Sequence, residues 1–331
     1  MKTPRLIFSL VSGLLMCLGF PEIGGLAPVM LFAWIPLLLV EDDIYTKKDK
    51  SVKVFLHSYL VFLIYNIGTT WWIWNADPSG AIMAFVLNAL LMSITFQLFH
   101  FIKKRVGRRE GYIGFLLIWI SFEYAHYHWD LSWPWLNFGN AFANMPFLVQ
   151  WYSYSGVLGG TLWVLISNLT LFSIIKNIKI KKESFALQTP LVILFVLVVF
   201  APMTYSVVSY FNHDLEGDTT NIIVTQPNID TYKEKWSLHP KEQMDRCFSS
   251  ETVDFTRADL ILAPETAISY SIDESKIKED KGYQYLVSKV KSYNRPDLFI
   301  GMSSHEFTKK KLPGSREIKG QNIYANHYNF T

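Results

Sequence analysis

Long apolar stretches dominate the first 210 residues of the chain and predict about seven helices. A membrane-spanning helix needs about 20 apolar residues, so the last five stretches are long enough to cross a bilayer. The first two are shorter and flank Pro21, Gly24 and Gly25, which favours a tight helical hairpin. A signal peptide is the alternative for the first stretch, but no small-residue cleavage site follows it. The predicted helices cover about 6–20, 26–40, 54–74, 81–102, 111–128, 156–175 and 187–210.

The pattern changes after residue 210, where short apolar runs alternate with polar segments. The runs at 221–226, 259–263 and 297–302 are nearly continuous, which is typical of strands that are buried on both faces. Segments 238–257 and 275–293 carry apolar residues at helical spacing and predict helices between the strands. This order predicts a parallel sheet, whose functional groups collect at the carboxyl ends of its strands.

Charge separates the same two parts of the chain. Residues 1–210 contain 15 Lys and Arg and 10 Asp and Glu, whereas the much shorter segment 211–331 contains 16 and 18. The sequence therefore predicts a transmembrane helix bundle over 1–210 and a water-soluble α/β domain over 211–331. It excludes a single soluble globule and a disordered chain. The net charge of +3 gives no indication of a nucleic-acid partner, and Cys17 and Cys247 fall in different parts, which disfavours a structural disulfide.

The basic residues of the first part predict its orientation. The loops at 21–25, 75–80 and 129–155 hold no Lys or Arg. By the positive-inside rule the N-terminus is cytoplasmic, and seven crossings then place residues 211–331 on the outer face of the membrane. All 15 basic residues lie before the first helix or in the alternate loops: Lys2, Arg5, Lys47, Lys48, Lys50, Lys53, Lys103, Lys104, Arg105, Arg108, Arg109, Lys176, Lys179, Lys181 and Lys182.

Two carboxylates are candidates for chemistry. Glu265 follows the second predicted strand and a proline, where a strand-end group can act as a general base; the alternative is a helix cap or a salt bridge. Glu123 lies in the fifth predicted span. A carboxylate at the centre of a span costs about 2.5–3.5 kcal/mol, so Glu123 either serves function or makes a structural hydrogen bond to a neighbouring helix. The Trp-rich loop 129–155 is either an interfacial belt or the wall of a lipid site.

Several motifs, in this order and over nearly the whole chain, resemble bacterial apolipoprotein N-acyltransferases. The resemblance implies a nitrilase-like α-β-β-α sandwich that a helix bundle holds at the outer face of the inner membrane. The motifs are Gly19-Phe20-Pro21, Glu123, Trp133-Pro134-Trp135-Leu136, Gln150, Gly156-Val157-Leu158-Gly159-Gly160, Asn168, Gln226-Pro227-Asn228-Ile229, Trp236 and Leu262-Ala263-Pro264-Glu265-Thr266.

The resemblance also implies an activity that needs no metal or cofactor. Members of the family move an acyl chain from a phospholipid to the α-amino group of a diacylated lipoprotein cysteine. Their catalytic set is Glu, Lys and Cys, and Glu265 matches the Glu, which takes the proton of the Cys. The Lys stabilises the oxyanion. By the same resemblance, Trp236, Gln226, Asn228 and Glu123 are expected to contact substrate.

The sequence departs from the family where the Lys and Cys are expected. Both follow a Tyr-Asn motif in the family, and Tyr328-Asn329 resembles that motif just before Thr331. The lysines at 309–311 form a solvated run, and Cys247 precedes Glu265 in a predicted helix. The expectation is therefore an incomplete nitrilase-like domain that folds poorly, in an inactive chain whose C-terminal portion is missing.

Two other interpretations compete with a truncated acyltransferase. One is a non-catalytic protein that binds lipid or lipoprotein. The other is a transporter or sensor with an outer binding domain, which ranks last because the spans hold one carboxylate and the sequence has no internal repeat.

The charge asymmetry makes the orientation testable. A reporter that is active only outside the cytoplasm, fused after residue 215, should be active, because seven crossings from a cytoplasmic N-terminus end outside. The matched fusion carries a reporter that is active only in the cytoplasm. Activity of that second fusion would overturn the predicted topology.

Overall fold

The computed structural model describes residues 4–213, 217–231, 233–249, 253–294, 296–311, 315–318 and 323–330. The chain divides into two compact units, Met1–Asp214 and Leu215–Thr331. The first unit is helical, and the second contains two β-sheets with short helices.

A helix occupies each of the seven apolar stretches in the first unit. Among the described residues, four helical segments are long and apolar enough to span a membrane: Val52–Asn75, Pro78–Arg105, Tyr152–Ile180 and Phe185–Phe211. The chain is thus a membrane protein, whereas the number of crossings stays a prediction. The helices are α1 (Arg5–Gly19), α2 (Ile35–Thr46), α3 (Val52–Thr70), α4 (Pro78–Arg105), α5 (Arg108–Ala125), α6 (Tyr152–Ile175) and α7 (Thr189–Phe211).

The second helix lies further along the chain than its hydropathy predicts. Residues Ala27–Leu31 form a 3₁₀ turn, and α2 continues through Glu41 and Asp42 to Thr46. Both carboxylates are buried because they accept hydrogen bonds from lysines of other helices. Lys103 of α4 donates to both, and Lys176, just beyond α6, donates to Asp42 at 2.6 Å. The predicted bounds of 26–40 for this helix were wrong. Hydropathy assigns Glu41 and Asp42 to a loop, whereas their pairing with the lysines allows them to extend the helix.

Asn168 of α6 satisfies the backbone where the chain breaks between this 3₁₀ turn and α2. Its carboxamide oxygen accepts from the backbone N–H of Trp34 at 2.9 Å, and its Nδ2 donates to the carbonyl of Met30 at 2.8 Å. Backbone groups freed inside a membrane protein must find such partners, since lipid offers none. The Trp34 side chain is fully buried among aromatic rings of four other segments: Phe62, Phe96, Phe115, Trp119 and Phe138.

The Trp-rich loop before α6 contributes both to the core and to the surface. It contains three 3₁₀ turns, Pro134–Leu136, Phe138–Phe142 and Pro146–Leu148. Phe138 and Phe142 are fully buried, whereas the Trp135 side chain is 59% exposed. The exposed aromatics suit a membrane–water boundary, and the buried ones fasten the loop to the bundle.

The second unit contains the parallel sheet that the sequence predicts. Its order is β1-β2-β4, and both pairings are parallel. Residues of the sheet and its helices, including Ile261, Met244 and Leu286, form one buried apolar cluster. The elements of the unit are β1 (Ile222–Val224), α8 (Pro240–Cys247), β2 (Leu260–Leu262), β3 (Ile268–Asp273), α9 (Lys281–Ser292), β4 (Asp297–Phe299), β5 (Met302–Thr308), β6 (Arg316–Ile318) and β7 (Ile323–Phe330).

A second sheet of order β3-β5-β7-β6 was missed in the sequence. Its strand β5, with the sequence Met-Ser-Ser-His-Glu-Phe-Thr, has too few apolar residues to be recognised as a strand. The predicted strand 297–302 is in fact divided, because β4 ends at Phe299 and β5 begins at Met302. The predicted helices were also too long: α8 ends at Cys247, and the Asp280 side chain caps the start of α9. The expected poor folding of residues 211–331 stays a prediction.

The buried ion pairs predict a large loss of stability when one partner is removed. Lys103→Met leaves Glu41 and Asp42 buried without their shared cation, and the expected cost is about 3–5 kcal/mol. The matched control is Lys104→Met, because Lys104 is exposed and, among the described residues, donates to Ser51 alone, at 3.4 Å. The melting temperatures of both variants are measured by thermal unfolding in detergent. An equal shift in melting temperature would contradict a stabilising role for the buried pair.

Candidate active site at the carboxyl ends of the parallel strands

Neighbouring strands of the parallel sheet end side by side, and the loops that follow them lie at the same edge of the sheet. Hydrogen bonds continue past the strands, from the Thr225 N–H to the Leu262 carbonyl and from the Ala263 N–H to the Phe299 carbonyl, each at 2.8 Å. The two loops that follow are Gln226-Pro227-Asn228-Ile229 and Pro264-Glu265-Thr266. The edge of the sheet therefore brings together two segments that are distant in sequence.

These loops line a cavity of about 230 Å³ in the second unit. The remainder of its wall comes from the segment before α8, from α8 itself and from the start of β3. A carboxylate, an ammonium group, a thiol and three carboxamides all belong to lining residues. The lining residues are Gln226, Pro227, Asn228, Ile229, Thr231, Lys235, Gln243, Cys247, Pro264, Glu265, Thr266 and Ala267.

Close packing against Gly301 holds the turn that carries Glu265. A Cβ at position 301 would lie 2.7 Å from Glu265 Cα and 2.8 Å from the Thr266 backbone nitrogen, closer than real side chains approach. Thr266 has φ of 51°, and Asn228 across the cavity has φ of 50°. Such left-handed backbone costs energy in residues other than Gly, and it is concentrated at functional sites.

Helix α8 holds the cationic wall of the cavity in place. Gln243 is buried, and its Nε2 donates to the carbonyls of Lys235 at 2.6 Å and Leu238 at 3.1 Å. These bonds fasten the backbone of residues 235–238 to the helix. Lys235 is the one Lys or Arg among the described lining residues, so it is the cation available to an anionic group in the cavity.

Cys247 ends α8 and belongs to the apolar cluster of the unit. Burial raises the pKa of its thiol to about 11, although a hydrogen bond with Thr225 opposes this shift. A thiol with this pKa is almost entirely protonated at neutral pH, and only the thiolate is a nucleophile. Cys247 is therefore expected to be a poor nucleophile at neutral pH, although it lines the same space as Glu265.

The residues singled out in the sequence have different surroundings. Gln226, Asn228 and Glu265 line the same cavity. Trp236 is outside the lining set, and 72% of its surface is exposed. Glu123 belongs to the helical unit. The substrate contacts expected of Trp236 and Glu123 stay predictions.

Glu123 accepts hydrogen bonds from three segments of the helical unit. Its Oε1 accepts from Trp119 Nε1 at 3.0 Å and from the Phe138 N–H at 3.2 Å, and its Oε2 accepts from Thr161 Oγ1 at 2.6 Å. The carboxylate thus joins α5, the Trp-rich loop and α6. The adjoining cavity measures about 10 Å³, which leaves no space for a lipid.

Sequence reasoning missed Lys235, Gln243 and Gly301 as parts of this site. Lys235 directly precedes the motif residue Trp236, which is the only local signal for it. Gln243 and Gly301 act through packing and backbone hydrogen bonds, which leave no recognisable spacing. Within the described residues, no three His, Cys, Asp or Glu side chains cluster as ligands for a metal ion.

The architecture is that of a membrane protein whose helical bundle precedes an α/β unit with a polar cavity at its strand ends. Residues 12–170 match the model of the apolipoprotein N-acyltransferase N-terminal domain. These residues are therefore similar to the N-terminal domain of the apolipoprotein N-acyltransferases.

Two curated relatives agree with this similarity. An apolipoprotein N-acyltransferase of Chlorobaculum tepidum is 30% identical over 297 residues, which cover 87% of this chain and 54% of that protein. One of Geobacter metallireducens is 24% identical over 278 residues, covering 80% of this chain and 51% of that protein. The chain spans about half the length of the curated relatives it matches.

The burial of Cys247 predicts slow alkylation. Because its pKa is raised to about 11, the rate with iodoacetamide should rise about tenfold for each pH unit between 7 and 10. The matched control is Ser249→Cys in a Cys247→Ala background, since Ser249 is exposed two residues away. Mass spectrometry of the peptide measures both rates. Equal rates at pH 7.5 would show that Cys247 is a reactive thiol.

Proposed function

We propose that this chain serves acyl transfer from a phospholipid to the N-terminal cysteine amine of a diacylated lipoprotein, with Glu265 as the general base. The observation that carries the proposal is the cavity at the strand ends, which Gln226, Asn228 and Glu265 line together. Similarity to the apolipoprotein N-acyltransferases supports the same reaction. The acyl donor is then a phospholipid and the acceptor a lipoprotein, both held at a membrane.

Two proton transfers define the role of Glu265. First, the carboxylate takes the proton of a cysteine thiol, and the thiolate attacks the ester carbonyl of the phospholipid; a thioester forms and the lysophospholipid alcohol leaves with a proton. Next, the carboxylate takes a proton from the lipoprotein amine, which attacks the thioester. An amide bond forms, and the thiol is released with its proton.

These 331 residues contribute the base to this mechanism and not the nucleophile. Cys247 is buried with a pKa of about 11, and Cys17 lies in α1 of the helical unit. Lys235 lines the cavity, but it precedes the general base in the chain, whereas the family's Lys follows it. We therefore propose that neither cysteine of the chain forms the thioester.

The nitrilase-like fold and the location are part of the same proposal. A parallel sheet with helices α8 and α9 and a second mixed sheet support one half of an α-β-β-α sandwich over 211–331. The basic residues of alternate loops support an inner-membrane protein with a cytoplasmic N-terminus and this domain on the periplasmic face.

A chimera tests the role of Glu265. Residues 1–331 are joined to the C-terminal part of the Chlorobaculum tepidum relative that follows its matched region. N-acylation of a diacylated lipopeptide is then measured in detergent with phospholipid. Glu265→Gln should lower the rate about 10²–10⁴-fold, because the amide keeps the shape of the carboxylate but cannot take a proton.

The matched control is Glu279→Gln, which removes a carboxylate from an exposed turn of the same unit. Its rate should equal that of the parent chimera. The 331-residue chain alone should give no N-acylated product. Near-parental activity of the chimera that carries Glu265→Gln would remove Glu265 from the mechanism, and product from the chain alone would make Cys247 the first residue to replace.

A further inference from the structure

A second polar cavity lies at the end of the helical bundle where the basic residues collect. It has a volume of about 420 Å³, and the C-terminal end of α2, the start of α5 and the end of α6 surround it. Its wall includes the cations Arg108, Lys176 and Lys181 and a single carboxylate, that of Asp42. The lining therefore carries a surplus of positive charge.

The buried network behind the cavity does not remove this surplus. Oδ1 of Asp42 accepts from Lys176 at 2.6 Å, from Arg108 at 3.0 Å and from Lys103 at 3.3 Å. Glu41 is paired with Lys103 and with His100. Two carboxylates thus face three permanent cations. The side chain of Lys181, 51% exposed at the rim, pairs with Glu183 at 3.5 Å, so the surplus of one positive charge comes from the buried network.

The remaining donors of the cavity suit a phosphate group. Arg108 uses one N–H on Asp42 and another on Thr46, at 3.1 Å, and a guanidinium carries five. Its planar fork matches the oxygens of a phosphate. Arg108 also begins α5, so the positive end of the helix dipole points toward an anion at this place.

The lining of the cavity also includes apolar groups, which suit a lipid. These groups are Phe172, Ile180 and the ring of Tyr112. The surrounding helix ends carry the lysines and arginines that flank the spans, so the cavity lies at headgroup depth. Lys176–Ile180 forms a π-helical turn, a local widening that often marks functional sites. A free phosphate ion would contact the cationic groups of the lining alone, whereas a phospholipid would contact both the cationic and the apolar groups.

We propose that this cavity, lined by Arg108, Lys176 and Lys181, binds the phosphate group of an anionic phospholipid. Basic pockets between helices on the cytoplasmic side bind such headgroups in other membrane proteins. The bound lipid neutralises the surplus charge and ties α2, α5 and α6 together. This site is independent of the acyl-transfer cavity in the second unit.

Native mass spectrometry of the full chain in detergent tests the site. The probes are phosphatidylglycerol, phosphatidylcholine with the same acyl chains, and inorganic phosphate. Phosphatidylglycerol should bind more tightly than phosphatidylcholine. Loss of one cation should weaken its binding about fivefold, since each Lys or Arg near a lipid surface contributes about 1 kcal/mol.

Two matched pairs of variants locate the binding. Arg108→Gln is compared with Arg109→Gln, and Lys181→Gln with Lys182→Gln, because Arg109 and Lys182 are exposed neighbours outside the lining. Lys181 stands apart from the buried network, so its pair decides the result if Arg108→Gln fails to fold. Only the first member of each pair should show the weakened binding.

Three outcomes would overturn the proposal. Equal affinity for the two phospholipids would show that charge does not select the ligand. Equal losses within each pair would place the lipid elsewhere on the surface. A complex with inorganic phosphate as tight as that with phosphatidylglycerol would make the site one for a free anion.

Discussion

Lipid supplies no hydrogen bonds, and this constraint explains the polar residues of the helical unit. Asn168 makes hydrogen bonds with the backbone groups that the break before α2 leaves without helical partners. Glu123 accepts three hydrogen bonds and thereby joins α5, the Trp-rich loop and α6. Lys103 is fully buried between the carboxylates of α2. Each of these groups is costly to bury without its partner, so each one determines which segments must lie next to one another.

A different constraint organises the second unit, where the parallel strands must end at one edge. Backbone hydrogen bonds past β1, β2 and β4 keep the loop starts in register. Gly301 allows the Glu265 turn to approach the next strand closely, and Thr266 and Asn228 adopt left-handed backbone on either side of the cavity. This strain is borne by the packed sheet beneath it. The cavity is therefore a product of the sheet rather than of its loops alone.

Polar cavities occur in both units and differ in chemistry. The cavity of the α/β unit combines a carboxylate with carboxamides, which suits proton transfer and the positioning of an acyl group. The cavity at the basic end of the bundle combines three cations with apolar groups, which suits a headgroup that remains bound. The two proposed roles thus fall on cavities of different composition in separate units.

The sequence by itself determined the helices, the parallel sheet and the position of Glu265 at a strand end. The lengths of the apolar stretches, the apolar runs of the strands and the basic residues of the loops are local patterns. They can be recognised without any knowledge of packing. Only the tertiary structure decided that α2 extends through Glu41 and Asp42, since the lysines that neutralise them lie 62 and 134 residues away. The second sheet and the Gly301 contact were decided in the same way. The free-energy cost of burying a polar group depends on its pairing with a distant segment. That pairing cannot be recognised in a local sequence pattern.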